Sequence, residues 1–412
     1  MKKKILVRGP VLSQSGYGEQ ARFALRSLRS KEDLFDIYIN PIRWGETGWI
    51  WEDNEFRRWM DEKIVKTSEM IDKKQLQPDM SLQITIPNEF QKIAPLNYGY
   101  TAGIESTNVA PGWLLKANEM DGMIVISDFA KAGFTDTIAI QKNTQTGEEI
   151  PYTLQTPITT VNYAIREVET EEIPNFELDK NFNFLIVSQM GPRKNMENSI
   201  RWWVEEFIDQ NVGLVVKTNF KGSSQIDRER TFGYLKKLLD QYPNRKCSVK
   251  LLHGDLTEGQ MFSLYKHDKI KALINIAHGE GFGLPLFEAA QSGLPIITIG
   301  WSGQMDFLKH NGRKYFTEVD YELKPIQPEA VWKGVLEAET SWAFADQGSY
   351  KMSLRKVKKN WKGAKKKATD LKKIILKEFS KEKKYEEFCN AIFNPSEEEL
   401  EWMEELSKIE VL

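Results

Sequence analysis

The chain has 412 residues, with 57 Lys and Arg against 59 Asp and Glu, and this length predicts two domains. The formal net charge of -2 provides no overall attraction to nucleic acid or to an anionic membrane. With 2 Cys and 4 His, none at a metal-ligand spacing, and no apolar run of membrane or signal-peptide length, we expect a cytoplasmic protein without disulfides or a zinc site.

Short apolar runs alternate with amphipathic stretches along most of the chain. The runs predict strands at 4–8, 34–39, 81–86, 122–126, 158–163, 183–188, 213–218, 248–252, 271–276 and 294–299. The amphipathic stretches predict helices at 17–29, 196–208, 227–241, 257–267 and 285–292. Such alternation is typical of parallel sheets covered by helices on both faces. We therefore expect two Rossmann-like halves, joined by an acidic linker at 166–181.

A glycine loop follows the first apolar run, with Gly16 and Gly18 close to the start of an expected helix. A dinucleotide fingerprint places its first glycine directly after the strand, whereas residues 9–15 intervene here. The spacing therefore weighs against NAD binding. Two interpretations remain open for the loop alone. In the first, the loop needs glycine only for its own backbone conformation. In the second, the loop binds an anion at the helix N-terminus.

The most informative segment is HGEGFGLPLFEAAQSGLPII at 278–297, directly after an apolar run. Its glycines allow a ligand to approach the backbone closely, and Pro285 favours the start of a helix. Amides at a helix start suit an anion. The carboxylates of Glu280 and Glu288 can accept hydrogen bonds from sugar and ribose hydroxyls. The alternative is a glycine-proline turn that carries two surface glutamates.

This segment resembles the E-x7-E signature of family 4 glycosyltransferases, which have the GT-B fold. SQMGPRKNMENSI at 188–200 is similar to the family's phosphate-binding segment. GDLTEGQMFSLY at 254–265 and GLPIITIGWSGQMDFL at 293–308 are similar to the segments that flank the signature. Residues 100–134 are similar, more loosely, to the family's acceptor-side region.

The resemblance implies a GT-B fold, with two Rossmann-like domains that face a central cleft, followed by C-terminal helices. It assigns 1–170 to an acceptor domain and 171–375 to a nucleotide-sugar donor domain. Residues 376–412 would form a helical tail able to pack back on the first domain. It further implies transfer of a hexose or pentose from a nucleotide-diphosphate donor, with retention at the anomeric carbon. No metal ion and no cofactor besides the donor are expected.

The resemblance also implies site residues. Glu280 would contact the donor sugar, while Arg193 and Lys194 would neutralise the departing diphosphate, and we take these three as catalytic. Glu288 would bind the nucleotide ribose, and Glu105 is an acceptor-side candidate. The donor-binding set comprises Gly16, Gly18, Lys217, Gly281, Phe282, Gly283, Leu284 and Glu288. The glycine loop would face the donor diphosphate across the cleft. For Lys217, a solvated side chain without a ligand is an equal alternative.

The acceptor is less constrained. Residues 351–384 contain 15 Lys and Arg against 3 acidic residues, and apolar residues from Trp361 to Phe379 recur at helical spacing. This basic amphipathic helix fits a solvated face or a contact with lipid or nucleic acid. Tryptophans between positions 44 and 59 can stack on sugars or pack internally. We expect a carbohydrate or glycoconjugate acceptor. The alternatives are a hydroxylated base of nucleic acid and a non-catalytic nucleotide-sugar binder, while an epimerase or a dehydrogenase fits less well.

Overall fold

The computed structural model describes residues 2–142 and 146–393, which form two α/β units. Among these residues, unit 1 contains 2–104, 108–142, 146–164 and 381–393, and unit 2 contains 105–107 and 165–380. The unit boundaries at 164/165 and 380/381 replace the expected ones at 170/171 and 375/376. Residues 394–412 of the expected tail lie outside the described residues.

Unit 1 is built on a parallel sheet. Its strands are β1 (Lys3–Gly9), β2 (Phe35–Pro41), β3 (Met80–Ile84), β4 (Leu96–Thr101), β5 (Gly122–Val125) and β8 (Ile158–Thr160), while β6 (Ala139–Lys142) and β7 (Glu149–Tyr152) form a separate hairpin. The order is β2-β1-β3-β4-β5-β8, and all neighbours are parallel. The helices from the first half of the chain are α1 (Gly16–Arg29), α2 (Glu55–Asp72), α3 (Pro111–Ala117) and α4 (Asp128–Thr135).

Unit 2 repeats this plan. Its sheet contains β9 (Asn183–Val187), β10 (Gly213–Lys217), β11 (Ser248–Leu252), β12 (Ile270–Asn275), β13 (Ile296–Ile299) and β16 (Thr317–Val319). The order is β11-β10-β9-β12-β13-β16, again with parallel neighbours. Two hairpins pair β14 (Lys309–His310) with β15 (Arg313–Lys314) and β17 (Tyr321–Pro325) with β18 (Ser341–Ala345). Two Rossmann-like domains, as expected from the sequence, are therefore confirmed.

The helices of unit 2 are α5 (Met196–Phe207), α6 (Gln225–Leu239), α7 (Glu258–Lys266), α8 (Leu284–Ser292), α9 (Met305–Leu308), α10 (Gln347–Lys359) and α11 (Trp361–Glu378). Helices α7, α8 and α10 contact strands of the unit 2 sheet, and α11 packs on α8 and α10. The last described helix, α12 (Lys381–Ile392), belongs to unit 1 and packs on α1 there. Its Phe388 side chain is fully buried against Tyr100 and Phe23. Among the described helices, none combines the length and apolarity needed to cross a membrane.

The strands expected from apolar runs all form, but β4 was not expected. Its sequence, LNYGYT, lacks an apolar run, although Tyr100 is fully buried in the sheet. The amphipathic helix expected from Trp361 to Phe379 forms as α11, but the basic segment 351–384 is not one helix, because the chain breaks at Asn360 and again between α11 and α12. Asn360 ends α10, and its side-chain oxygen accepts a hydrogen bond from the Gly363 amide at 3.2 Å, which caps α11.

Residues 166–181 differ from the free linker expected from their composition. Thr257 Oγ1 donates to the carboxylate of Glu171 at 2.6 Å, and Lys269 Nζ donates to the carbonyl of Leu178 at 2.8 Å. These bonds fasten the segment along α7 and the start of β12. It is therefore part of unit 2, although it contains no helix or strand.

The glycine loop connects β1 to α1 within unit 1. The Ser15 hydroxyl caps α1 by accepting a hydrogen bond from the Gly18 amide at 3.0 Å. A Cβ atom at Gly18 would lie 1.9 Å from the carbonyl oxygen of Ser13, whereas a Cβ at Gly16 would meet no atom within 4 Å. Gly18 is therefore required by the packing of the loop on its own helix, a reason that involves no ligand.

We expect Gly18→Ala to lower the free energy of unfolding by about 1–3 kcal/mol, because the new methyl group forces the loop away from α1. Gly16→Ala in the same helical turn is the matched control and should change that free energy by less than about 1 kcal/mol. Chemical denaturation of both variants measures the difference. Equal stabilities would contradict this account of the loop.

Candidate functional site

Three loops at the carboxyl edge of the unit 2 sheet bring polar side chains together, as expected where parallel strands end side by side. The loop after β9 contains a short turn, Pro192–Lys194, that precedes α5. The loop after β12 occupies 276–283 and leads into α8. The loop after β13 contributes Ser302 and Gln304. Arg193 and Lys194, in the loop after β9, thereby contact Glu280, in the loop after β12.

Glu280 is the centre of this group and is only 6% exposed. Lys194 Nζ donates to both carboxylate oxygens at 2.7 Å. Arg193 Nη1 donates to Oε2 at 3.3 Å, and Asn275 Nδ2 donates to Oε1 at 3.0 Å. A carboxylate offers about four acceptor positions, so these four bonds use its whole capacity in this arrangement.

Two residues with left-handed backbone hold the surrounding loops. Asn195 has φ of 49° at the end of the Pro192–Lys194 turn, and its side-chain amide donates to the carbonyl of Ile276 at 3.2 Å. Ser302 has φ of 77°, and its hydroxyl accepts from the Glu280 amide at 3.0 Å. Such backbone conformations are uncommon outside glycine and persist where neighbouring contacts fix them. Both contacts restrict the loop that carries Glu280.

The charges in the group compensate one another. Burial opposes ionisation of Glu280, but the charges of Lys194 and Arg193 outweigh it and lower the pKa of Glu280 from 4.5 to about 2. Burial and the neighbouring Arg193 lower the pKa of Lys194 from its usual value. Burial also disfavours the charge on Arg193, but Glu105 and Glu280 together raise its pKa. The buried carboxylate is therefore ionised at neutral pH.

Glu105 lies on a short segment, 105–107, that belongs to unit 2. Its Oε1 atom is 2.9 Å from Arg193 Nη2. Thr107 fastens the segment to β18, since the Ser341 amide donates to Thr107 Oγ1 at 3.0 Å. A Cβ at Gly279 would lie 2.4 Å from the Glu105 carbonyl oxygen, so only glycine allows this approach. The expected acceptor-side candidate thus contacts the residues expected to bind the donor.

Glu288 lies on α8 in a second polar group. Its carboxylate forms an ion pair with Arg166 and accepts a hydrogen bond from the Tyr265 hydroxyl at 2.8 Å. Arg166 Nη1 also contacts Glu258 Oε1 at 2.7 Å. Glu288 is thus oriented by side chains from α7 and from the segment expected to be a linker.

The remaining residues of the expected donor-binding set in unit 2 have mixed environments. Lys217 Nζ donates to the carbonyl of Gly254 at 2.7 Å, and burial lowers its pKa. Phe282 is buried against Phe287 and Phe307, so its side chain packs in the core. The other three members, Gly281, Gly283 and Leu284, lie in the 276–283 loop and at the start of α8, with φ of 88° at the second glycine.

Sequence reasoning missed several residues that hold the expected ones. Asn275 ends β12 directly after the apolar run from Ala272 to Ile274, and this polar ending was the signal that could have identified it. Arg166 was assigned to a linker, and Ser302 carried no sequence signal that we recognise. Within residues 2–142 and 146–393, no group of three or more His, Cys, Asp or Glu side chains could hold a metal ion.

Residues 168–322 match the family model described as "Glycosyl transferases group 1". A stretch of 118 residues, 28% of this chain, is 32% identical to the serotype-specific mannosyltransferase WbdA of Escherichia coli. The matched stretch covers 13% of that relative's length. The predicted glycosyltransferase resemblance is therefore confirmed over the matched segment.

Solved structures are similar over nearly the whole chain. Anabaena HepE in complex with UDP and glucose has a TM-score of 0.58 at 12% identity, covering 99% of this chain and 100% of that one. Sucrose-phosphate synthase from Thermosynechococcus elongatus has a TM-score of 0.61 at 12% identity, covering 94% of this chain and 98% of that one. These likenesses confirm the GT-B fold class expected from the sequence.

We expect Glu280→Gln to lower the free energy of unfolding at pH 7 by about 2 kcal/mol, because it leaves the largely buried Lys194 without its anion and Arg193 with Glu105 as its remaining partner. The folded-state pKa of about 2 lies below the ordinary 4.5, so the stabilisation is complete above pH 4.5 and is lost as the pH falls toward 2. Urea unfolding at pH 7 and pH 3 should therefore show a smaller difference from wild type at pH 3. Glu329→Gln, at an exposed position, is the control. A difference that is the same at both pH values would refute the charge assignment.

Proposed function

We propose that this chain, which carries a group 1 glycosyl transferase segment at residues 168–322, transfers a sugar from a nucleotide-diphosphate donor to a hydroxyl group of a carbohydrate or glycoconjugate. One observation carries the proposal: a buried carboxylate, Glu280, holds two cations, Arg193 and Lys194, at the carboxyl edge of the unit 2 sheet. A diphosphate leaving group requires compensating positive charge, and this pair supplies it.

The donor would enter by exchanging ion-pair partners. Without a donor, Glu280 and Glu105 compensate the two cations. A diphosphate can replace these carboxylates as the partner of Arg193 and Lys194, so the two cations stay paired during the exchange. The carboxylate oxygens of Glu280 then become available to the hydroxyls of the donor sugar. The same residue would thus prepare the cations and afterwards orient the sugar.

Helix α8 adds a second source of positive potential. It begins at Leu284, four residues after Glu280 in sequence, and a helix N-terminus favours an anion. Glu288, on the same helix and fixed by Arg166 and Tyr265, is placed to accept a hydrogen bond from the nucleotide ribose. The solved structure of Anabaena HepE with UDP and glucose supports a nucleotide-sugar donor for this fold.

Retention at the anomeric carbon and independence from metal ions and further cofactors are part of the proposal. The family 4 resemblance supports retention. Metal independence is supported by Arg193 and Lys194, since groups aimed at developing charge in a water-excluded site each contribute about 3–4 kcal/mol to catalysis. The similarity of part of the chain to a mannosyltransferase supports a hexose rather than a pentose.

A carbohydrate acceptor is supported by aromatic side chains in unit 1. Residues 48–50 pair with the glycine loop, since the Gln14 amide donates to the Gly48 carbonyl and the Ile50 amide donates to the Leu12 carbonyl, both at 2.8 Å. Trp49 and Trp51 are 61% and 60% exposed beside it. Exposed tryptophans of this kind offer flat surfaces on which sugar rings stack.

Donor hydrolysis tests the proposal without knowledge of the acceptor. Incubation with UDP-, GDP- and ADP-sugars should release the nucleoside diphosphate from at least one donor, with activity retained in EDTA. Lys194→Ala should lose about 100-fold in kcat/KM, since it removes positive charge at the leaving group. Lys236→Ala is the control, because that lysine is exposed on α6 and paired with Asp240.

Three outcomes would count against the proposal. Strict dependence on added Mg²⁺ or Mn²⁺ would refute charge neutralisation by side chains. A Lys194→Ala variant as active as Lys236→Ala would place the diphosphate elsewhere. Absence of hydrolysis with every donor, together with tight donor binding, would favour the non-catalytic binder.

A further inference from the structure

Helices α10 and α11 carry a strong positive charge that the proposed function does not use. From Lys351 to Glu378 the sequence has 12 Lys and Arg, while Asp370 and Glu378 are the only acidic residues. The whole chain has a formal net charge of -2, so this charge is concentrated locally. Three basic residues of α10 are used internally, since Lys351, Arg355 and Lys358 bind side chains of α5 or its C-terminal end.

The outward side of α11 is a stripe of lysines, which we call the α11 lysine face. Lys362, Lys366 and Lys373 are exposed, and at 100° per residue they point in one direction along about 16 Å of helix. In the described part of the chain, none of the three has an ion-pair partner. Leu376, 41% exposed, lies near the same line. A row of uncompensated cations therefore faces outward.

Further lysines flank the face on both sides. On one side, burial and the charges of Lys372 and Lys271 lower the pKa of Lys365. On the other, burial and the charges of Lys356 and Arg313 lower the pKa of Lys367. Like charges this close destabilise the folded protein, and an external anion would relieve that repulsion.

The α11 lysine face lies at the opposite edge of the unit 2 sheet from Glu280. Trp361 Nε1 donates to the carbonyl of Lys271, at the start of β12. Lys365 Nζ donates to the carbonyl of Gly293, before β13 begins, and Lys367 Nζ to that of Phe316, before β16. Glu280 follows the carboxyl end of β12. A partner bound to the face therefore leaves the loops of the candidate site uncovered.

The shape of the face favours a flat partner. Ala368, Leu371 and Ile375 bury the other side of α11, and the helix packs against α8 and α10. The apolar side therefore holds α11 in unit 2, and only the lysine side faces outward. The face presents three lysines and none of the Asn and Gln side chains that read adenine. A planar layer of negative charge matches this straight row of lysine ammonium groups better than the curved surface of a DNA duplex does.

We propose that the α11 lysine face docks the protein on an anionic lipid bilayer. Juxtaposed lysines bind such surfaces electrostatically, each contributing about fivefold in affinity near the membrane. The apolar side of α11 is already buried in unit 2, so docking uses the charged stripe and does not insert the helix. The interaction should accordingly weaken as ionic strength rises.

The test is sedimentation of the full-length protein with vesicles of phosphatidylcholine that contain 0 or 30% phosphatidylglycerol, at low and high salt. Wild type should bind only the anionic vesicles, and Lys362→Gln/Lys366→Gln/Lys373→Gln should bind about 100-fold more weakly. The matched control is Lys73→Gln/Lys92→Gln/Lys237→Gln, which changes the net charge equally at exposed lysines elsewhere. Circular dichroism confirms that both variants fold.

The controls separate the possible results. Equal binding by the two triple variants would overturn the proposal, as would equal binding to vesicles with and without phosphatidylglycerol. Duplex DNA at matched salt is a competing ligand. If it bound more tightly than the anionic vesicles through the same three lysines, nucleic acid would replace lipid as the partner. Donor hydrolysis by the α11 variant should be unchanged, which distinguishes a failure of docking from a failure of the proposed catalytic site.

Discussion

The ion pair between the buried carboxylate of Glu280 and Lys194 is the contact on which the candidate site depends. A carboxylate that is 6% exposed stays ionised only where nearby cations outweigh the loss of hydration. The loops after β9 and β12 must therefore remain together, and Arg193 extends the same group to Glu105. Removal of Glu280 leaves the largely buried Lys194 without an anion, which explains why the carboxylate holds these loops in one conformation.

This arrangement also links structure to the proposed chemistry. Cations that are already fixed need little reorganisation when a diphosphate arrives, and preorganised charge is the largest contribution to many enzymatic rate enhancements. Asn275 and Ser302 orient the carboxylate and its loop, while Arg166 and Tyr265 orient the second acidic residue on α8. The positive stripe on α11 lies at the other edge of the same sheet, so catalysis and docking would use separate surfaces.

Sequence patterns identified most of the fold but fewer of the contacts. Apolar runs predict buried parallel strands because both faces of such strands are covered. Strand β4 was not predicted, because its sequence, LNYGYT, contains tyrosines and a glycine in place of an apolar run. The glycines, basic pair and acidic residues of the site were recognisable as motifs. Their partners were not, because the contact between Glu105 and Arg193 and the fastening of 166–181 to α7 depend on tertiary packing. Asn360 divides the basic segment by capping, a local effect that lysine-rich periodicity concealed.

A crystal structure with the nucleoside diphosphate that the hydrolysis assay identifies would test the central claim most directly. The account predicts that the ammonium group of Lys194 moves from Glu280 to a phosphate oxygen, with Arg193 adjacent and the Glu280 carboxylate facing the position of the sugar. A diphosphate bound elsewhere, with Lys194 still 2.7 Å from both oxygens of Glu280, would contradict it and make the ion pair a purely structural feature.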